Sequence, residues 1–496
     1  MKPLKTASFF LILLLVIVGF SYFNHTASFM IGTIKVQLPT RKHLLTHESS
    51  ASIPQFLDQQ HPVEEPLKSP QAQDMPVVTD TLKVSPDTLS QGAKDTDSIH
   101  SVDPDTLLQP QSMPLVYRIN SKGTHPLARF YDALSQTSYQ QIRILHYGDS
   151  QIEGDRITAY LRNQLQETFG GSGIGLLPIE LTPGTHTSLL HKPKGQWERY
   201  TLYDLRKKNI HHNRLGVLFS YCAFSSYSHM KTPATLTLEP SPLAFNRINN
   251  YNHIRLFYGQ GTSPIVVQLA CNDTLYDADL LSPQRELQEI KWQLPAPPKK
   301  LEFRFTGESS PEFYGVSLES PTGVVVDNIP LRGSSGTDFT RVDKQLQQNL
   351  YKTLDPDIFL LQFGVNLVPH LTTHFDYYER QLRQQIKRIK EVAPNAAIVL
   401  LGVSDMAHKK EGFYQSYENI ESIRAIQKKV ALETGALFWD TYEAMGGKNA
   451  MVKWVDHKPP LGRKDYTHFS YRGATLMAEL FYESLMNDYD TYRKQK

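Results

Sequence analysis

Three short stretches of the 496-residue chain carry residue types that together could cleave an ester. Gly148-Asp149-Ser150 sets a serine at a glycine turn. A serine entering a helix there is exposed, and helix-start N–H groups can hold an oxyanion beside it. Phe363-Gly364-Val365-Asn366 puts an asparagine amide just after an apolar run. Asp465-Tyr466-Thr467-His468 spaces a carboxylate and an imidazole three residues apart. That spacing lets Asp465 reach Nδ1 of His468, which fixes the tautomer and leaves Nε2 free as a base. Each stretch alone is ordinary: a Gly-Asp-Ser turn is commonly only a turn, and an Asp-x-x-His pair commonly a surface pair. Their order, with nucleophile, amide donor and acid–base pair in succession, points to acyl transfer through a covalent serine intermediate.

Such residues need a scaffold that brings distant strand ends together. Gln141 to His146 reads as a strand, and Arg156 to Phe169 carries apolar residues at helical spacing. Val324 to Ile329, Asp357 to Phe363, Ala397 to Leu401 and Leu437 to Asp440 read as further strands. The runs at 357–363 and 397–401 are apolar nearly throughout, as in parallel strands buried on both faces. Between and after them, Phe339–Thr353, Tyr377–Val392, Glu421–Thr434 and Tyr471–Asn487 read as helices, with a further helix at Pro126–Ser135. Alternating strands and helices specify a doubly wound parallel sheet, whose ligands sit at the carboxyl ends of the strands. All three motifs fall there. From about residue 185 to 320 the rhythm changes to short strands without long helices. Lys300-Leu-Glu-Phe-Arg-Phe305 alternates strictly, and the segment reads as a β-sandwich. Trp197, Tyr200, Tyr221 and Tyr258 read first as its core and second as a sugar platform. Trp454 is a candidate for lining the cleft.

With 52 basic and 50 acidic residues, the net charge of +2 leaves no electrostatic footprint for nucleic acid. Two lysines precede an apolar run from Ala7 to Phe23, followed by no small-residue cleavage site, so an uncleaved membrane anchor is expected. Residues 45–114 are rich in Pro, Ser, Asp, Thr and Gln and read as a linker. Cys222 and Cys271 are too few for a disulfide scaffold or a four-cysteine zinc site. One bridge or two separate thiols stay open.

Together the motifs resemble the SGNH (GDSL-type) hydrolases. The first family block is matched by Gly148-Asp149-Ser150. The second supplies an oxyanion glycine, and Arg332-Gly333-Ser334-Ser335-Gly336 fits it, with Gly336 the better match and Gly333 the next. The third, Gly-x-Asn-Asp, is matched by Gly364-Val365-Asn366-Leu367, which keeps the Asn and lacks the Asp. The last is matched by Asp465 and His468. A narrower resemblance is to bacterial peptidoglycan O-acetylesterases, through Gly148 to Asp155, Phe169 to Gly175 and Met445 to Trp454. Those enzymes carry a carbohydrate-binding-module-like sandwich between their first two blocks. Gln151 departs from them, since they usually carry His there.

The resemblance implies an α/β fold, an SGNH/flavodoxin-like three-layer doubly wound parallel sheet with an inserted all-β sandwich and an N-terminal transmembrane helix. The expected divisions are an anchor at 1–24, a linker at 45–114, the hydrolase domain at 115–184 and 323–496, and the sandwich at 185–322. The implied activity is a serine esterase removing O-acetyl groups from a cell-envelope polysaccharide, peptidoglycan first. Ser150 is the implied nucleophile, His468 the base and Asp465 its orienting acid. Ser150, Gly336 and Asn366 form the implied oxyanion hole. No metal or cofactor is implied. The expected setting is an inner-membrane anchor with the catalytic part in the periplasm or otherwise exported. The expected partners are the acetylated polysaccharide and, through the N-terminal helix, the membrane. Two alternatives stand beside this reading. One is an exported O-acetyltransferase served by a membrane-bound O-acyltransferase, and the other a non-catalytic carbohydrate-binding protein.

Overall fold

A computed structural model of the chain describes residues 110–119, 123–181, 188–205, 210–225, 233–370, 372 and 374–496, with the backbone of 28–31 and 34–37. The chain divides into two compact units, Met1–Asp97 and Ser98–Lys496. In the first, Ser28–Ile31 and Ile34–Gln37 pair antiparallel, a hairpin that the sequence pattern does not announce. The apolar run Ala7–Phe23 and the expected linker up to residue 109 lie outside the described residues. Among the described residues no helix is long and apolar enough to cross a membrane.

The second unit is built on a five-stranded parallel sheet. Its strands are β1 (Gln141–Gly148), β2 (Gly323–Pro330), β3 (Ile358–Gln362), β4 (Ala397–Leu401) and β5 (Leu437–Trp439), in the spatial order β2-β1-β3-β4-β5. Alternate residues supply two separate cores. Ile142, Ile144, Leu360 and Val399 pack beneath α1 (Ala128–Leu134), α2 (Thr158–Phe169) and α6 (Tyr471–Gln495). Leu145, Tyr147, Phe359 and Leu400 pack on the other side against α3 (Lys344–Leu354), α4 (Asp376–Val392) and α5 (Ile420–Thr434). Burial on both faces is why these strands read as continuous apolar runs. The order reverses at β1, so the crevice for a ligand opens beyond the ends of β1 and β3.

Boundaries moved where local chemistry overrides periodicity. The helix expected at Phe339–Thr353 begins at Lys344, because Asp343 caps it by accepting the N–H of Leu346 at 2.7 Å. The last helix runs on past Asn487 to Gln495. The end of the expected linker belongs to the folded part. Ser112 bonds Ser484 at 3.0 Å, and the carbonyl of Met113 accepts the Trp439 indole N–H at 3.0 Å.

Between β1 and β2 the chain forms two antiparallel sheets. One has five strands, from Leu189–Lys194 to Leu301–Thr306, and the other six, including Glu312–Glu319. Leu236, Val267, Phe303 and Phe305 of the first pack against Leu256, Phe313 and Val316 of the second. The second sheet also takes in Gly175–Leu177, which pairs with Glu312–Glu319, ahead of the expected boundary at residue 185. Trp197 packs edge-on against Phe224, Phe305 and Phe313, and Tyr258 is buried. Both are core. Cys222 and Cys271 are both free thiols.

A buried ionic knot joins the sandwich to the parallel sheet. Arg143 on β1 is fully buried and donates to Asp327 on β2 at 2.6 Å and to Glu319 of the sandwich. Arg255 of the sandwich also reaches Glu319, at 3.2 Å. The second oxygen of Asp327 accepts the N–H of Leu176 at 2.6 Å.

Candidate active site

β1 ends at Gly148, where an added Cβ would lie 2.9 Å from the Gln362 carbonyl oxygen. Asp149 then caps the short helical turn Ser150–Asp155 by accepting the N–H of Gln151 at 3.0 Å. Ser150, the first residue of that turn, keeps an N–H with no acceptor among the described residues. Asp149 itself is buried. Burial pushes its carboxyl up to about 6, against the N–H groups of Gln151, Gly364 and Val365 and the nearby His468. It is a turn and capping residue.

The loop before α6 brings Asp465 and His468 to this turn. Ser150 Oγ lies 2.7 Å from His468 Nε2, and His468 Nδ1 lies 2.9 Å from Asp465 Oδ2. The other oxygen of Asp465 accepts the N–H groups of Thr467 and His468, each at 2.9 Å. Partial burial alone would raise the Asp465 carboxyl. The hydrogen bonds from His468 and Thr467 outweigh it and hold the group down at about 2. Asp465 is therefore an anion at any neutral pH, with one oxygen fixed on the imidazole. Tyr466, between acid and base, has φ +55°, the left-handed region that costs a non-glycine residue about 1–2 kcal/mol.

Ser334 organises the oxyanion side. Its carbonyl accepts one Asn366 Nδ2 hydrogen at 2.8 Å, which orients the amide and leaves its second hydrogen for a ligand. Its hydroxyl accepts the Gly336 N–H at 2.9 Å and donates to Asp338. The Gly336 N–H expected to hold an oxyanion is thus engaged inside the loop. Glycine is required there for another reason: φ is +76°, and a Cβ would lie 2.8 Å from the Phe363 ring. Gly333, at φ +79° in open space, carries an N–H without an acceptor among the described residues. Its neighbour Arg332 forks onto Glu153, tying this loop to the Ser150 turn. Leu367, where the family pattern has Asp, packs on the apolar core instead.

Two residues without any spacing signal hold the loops together. Gln151 donates from Nε2 to the Thr467 carbonyl at 2.7 Å, and its Oε1 accepts the Phe469 N–H at 3.2 Å. It thereby grips the backbone on both sides of His468. Arg156 donates to the carbonyls of both Ser150 and Phe469. The only hint in the sequence was that Gln151 follows the serine directly. Trp454, a candidate for lining the cleft, is buried, with its ring against Phe469 and its indole N–H on the Met445 carbonyl at 3.1 Å.

Residues 301–476 match the model of the GDSL-like lipase/acylhydrolase family. That stretch contains Asn366, Asp465 and His468, while Ser150 lies upstream of it. Among solved structures, the chain is similar to a peptidoglycan O-acetylesterase. The TM-score is 0.61 at 20% identity, covering 76% of this chain and 99% of that one. Looser overlaps are with the salicylyl-acyltransferase SsfX3 of a tetracycline biosynthetic pathway and with a Bacillus subtilis protein. Each has a TM-score of 0.29 at 13% identity, covering 62% of this chain and 96% of the other. No curated protein matches by sequence. The fold is that of the GDSL-type hydrolases.

Proposed function

We propose that this GDSL-type chain is a serine esterase that removes O-acetyl groups from a cell-envelope polysaccharide, peptidoglycan foremost. The observation that carries the reading is the unbroken line from Ser150 Oγ through His468 to Asp465, at 2.7 and 2.9 Å. In the proposed reaction Ser150 Oγ attacks the acetyl carbonyl while His468 Nε2 takes its proton. Asp465, ionised, stabilises the imidazolium that forms. The tetrahedral oxyanion is received by the N–H groups of Ser150 and Gly333 and the free amide hydrogen of Asn366. Collapse breaks the C–O bond, and His468 protonates the departing sugar oxygen, which leaves as a hydroxyl. Water, deprotonated by His468, then attacks the acetyl-serine and releases acetate.

The substrate reading is supported by the likeness to a peptidoglycan O-acetylesterase along almost the whole of that protein. The setting we propose is the exported side of the membrane, with the apolar run Ala7–Phe23 as anchor.

Acetate release by the full-length protein in detergent tests this reading, with O-acetylated peptidoglycan and a small aryl acetate as substrates. The wild type should release acetate from both, and Ser150→Ala from neither. Undiminished turnover in Ser150→Ala would remove the serine from its role.

A further inference from the structure

Above the end of β4 the chain makes a second hairpin, Ala407–Lys410 paired with Phe413–Ser416, that leans on the Asp465–His468 turn. Its base is fastened. Ser416 N–H donates to Asn449 Oδ1 at 2.9 Å, and Asn449 N–H returns a bond to Ser416 Oγ at 2.7 Å. The Ala407 N–H donates to the Tyr466 carbonyl at 3.0 Å, so hairpin and acid–base turn share a backbone hydrogen bond. Above that bond the rings of Tyr414 and Tyr466 lie stacked, with centroids 3.6 Å apart and planes 10° from parallel. Tyr414 nevertheless remains 42% exposed. The left-handed backbone of Tyr466 is maintained in a residue flanked by the acid and the base.

The register gives this face a charge. Lys409 stands directly opposite Tyr414, and directly opposed residues project to the same side of a hairpin. Lys410, on the other side, is paired with Glu418 at 2.6 Å, whereas Lys409 has no ion pair among the described residues. Arg463 and Lys464, in the turn leading into Asp465, are exposed and likewise carry no ion pair among the described residues. A stack of two tyrosines with an unpaired lysine opposite one of them, on the turn that carries Asp465 and His468, has a definite chemical complement. Flat aromatic faces suit the C–H faces of pyranose rings, hydroxyl rims suit their polar edges, and free cations suit carboxylates.

We propose that the Tyr414–Tyr466 stack and Lys409 form a subsite for a carboxylate-bearing pyranose of the glycan chain whose ester Ser150 attacks. The subsite rests on the esterase reading for its place in catalysis, but not for its binding. The acid–base turn thereby does two tasks: Asp465 and His468 face the serine, and Tyr466 helps hold the chain of sugars.

The test measures binding without an ester. Peptidoglycan glycan strands, stripped of peptides and acetyl groups, are titrated calorimetrically into full-length protein, with carboxylates free or amidated. Tyr414→Ala should weaken binding of the free-acid strands on the order of tenfold, and Tyr414→Phe should restore it. Lys409→Met should weaken the free-acid strands about threefold and leave the amidated strands unchanged. Turnover of the small aryl acetate should stay at the wild-type level in all three variants. The proposal is overturned if the wild type does not bind the strands, if Tyr414→Ala binds as tightly as wild type, or if aryl acetate turnover falls in proportion to binding. The last result would mean that the hairpin only props up the acid–base turn. Failure of the esterase reading looks different: the strands bind and respond to both variants, yet no acetate is released.

Discussion

Gln151 holds Thr467 by a 2.7 Å hydrogen bond from its side-chain amide to the residue just before His468. Its other end takes the N–H of Phe469, so the residue following Ser150 sets the position of His468. Truncation to Ala would leave two buried backbone groups unpaired and let His468 drift. A displacement of about 1 Å in such a site can cost on the order of 10² in rate. Gln151→Ala should therefore lower kcat on an aryl acetate about 10–100-fold while KM changes little. Steady-state kinetics check this, and a loss carried mainly by KM would contradict the positioning role.

The oxyanion donors should rank in a definite order. Asn366→Ala removes a donor outright and should cost about 10²–10³ in kcat. Ser334→Ala removes the hydroxyl that holds Gly336 and Asp338 but keeps the carbonyl that orients Asn366. Its cost should be smaller, on the order of tenfold. Measuring both variants on one substrate tests the ranking, and the reverse order would mean that the Gly336 loop matters more than the Asn366 amide.

The two loop glycines should separate stability from activity. Gly336→Ala drives a Cβ into the Phe363 ring at a left-handed φ, and overpacking of that kind costs about 1–3 kcal/mol beyond the backbone strain. Gly333→Ala meets nothing within 4 Å and should cost only the strain, about 1 kcal/mol. Thermal melts should show a clearly larger fall in Tm for Gly336→Ala.

Stability should carry the signature of Asp149. Its folded carboxyl, raised to about 6 by burial, binds its proton more tightly than in the unfolded chain. Its contribution is thus present in acid and lost as pH rises through about 6. Asp465, held near 2, runs the other way: its contribution is present above the ordinary carboxylate range and lost as pH falls toward 2. Asp149→Asn should gain on the wild type between about pH 4 and pH 7, by on the order of 2–3 kcal/mol. Melts across that range check the slope, and a pH-independent difference would contradict it.

Arg143 should be a point of joint failure. Arg143→Met leaves Glu319 and Asp327 buried without their shared partner. Breaking a buried pair from one side costs about 3–5 kcal/mol. The loss should uncouple sandwich from parallel sheet, visible in calorimetry as two transitions in place of one.

The parallel sheet was legible because burial on both faces writes long apolar runs such as Ile358 to Gln362. The Asp465–His468 contact was legible because three-residue spacing is enough for Asp465 to reach His468. Gly336 was misread because a glycine kept for steric room beside Phe363 looks, in sequence, like one kept for its N–H. The 407–416 hairpin was missed because its strands are short and its turn is Glu411-Gly412, not the Asn-Gly or Asp-Gly that usually marks such turns. Gln151 drew notice only as a departure from the related esterases, and Arg156 left no signal, because their work is done on backbone atoms some three hundred residues away in sequence, which no local pattern records.

Ser150 and His468 are 318 positions apart, with the whole sandwich between them. During synthesis the serine emerges early and stays without a base until nearly the end of the chain has followed. A nascent chain that stops short of Asp465 holds Ser150 without the imidazole and carboxylate that the folded structure sets beside it. On the proposed mechanism, the order of translation therefore keeps Ser150 from its base until the molecule is nearly complete.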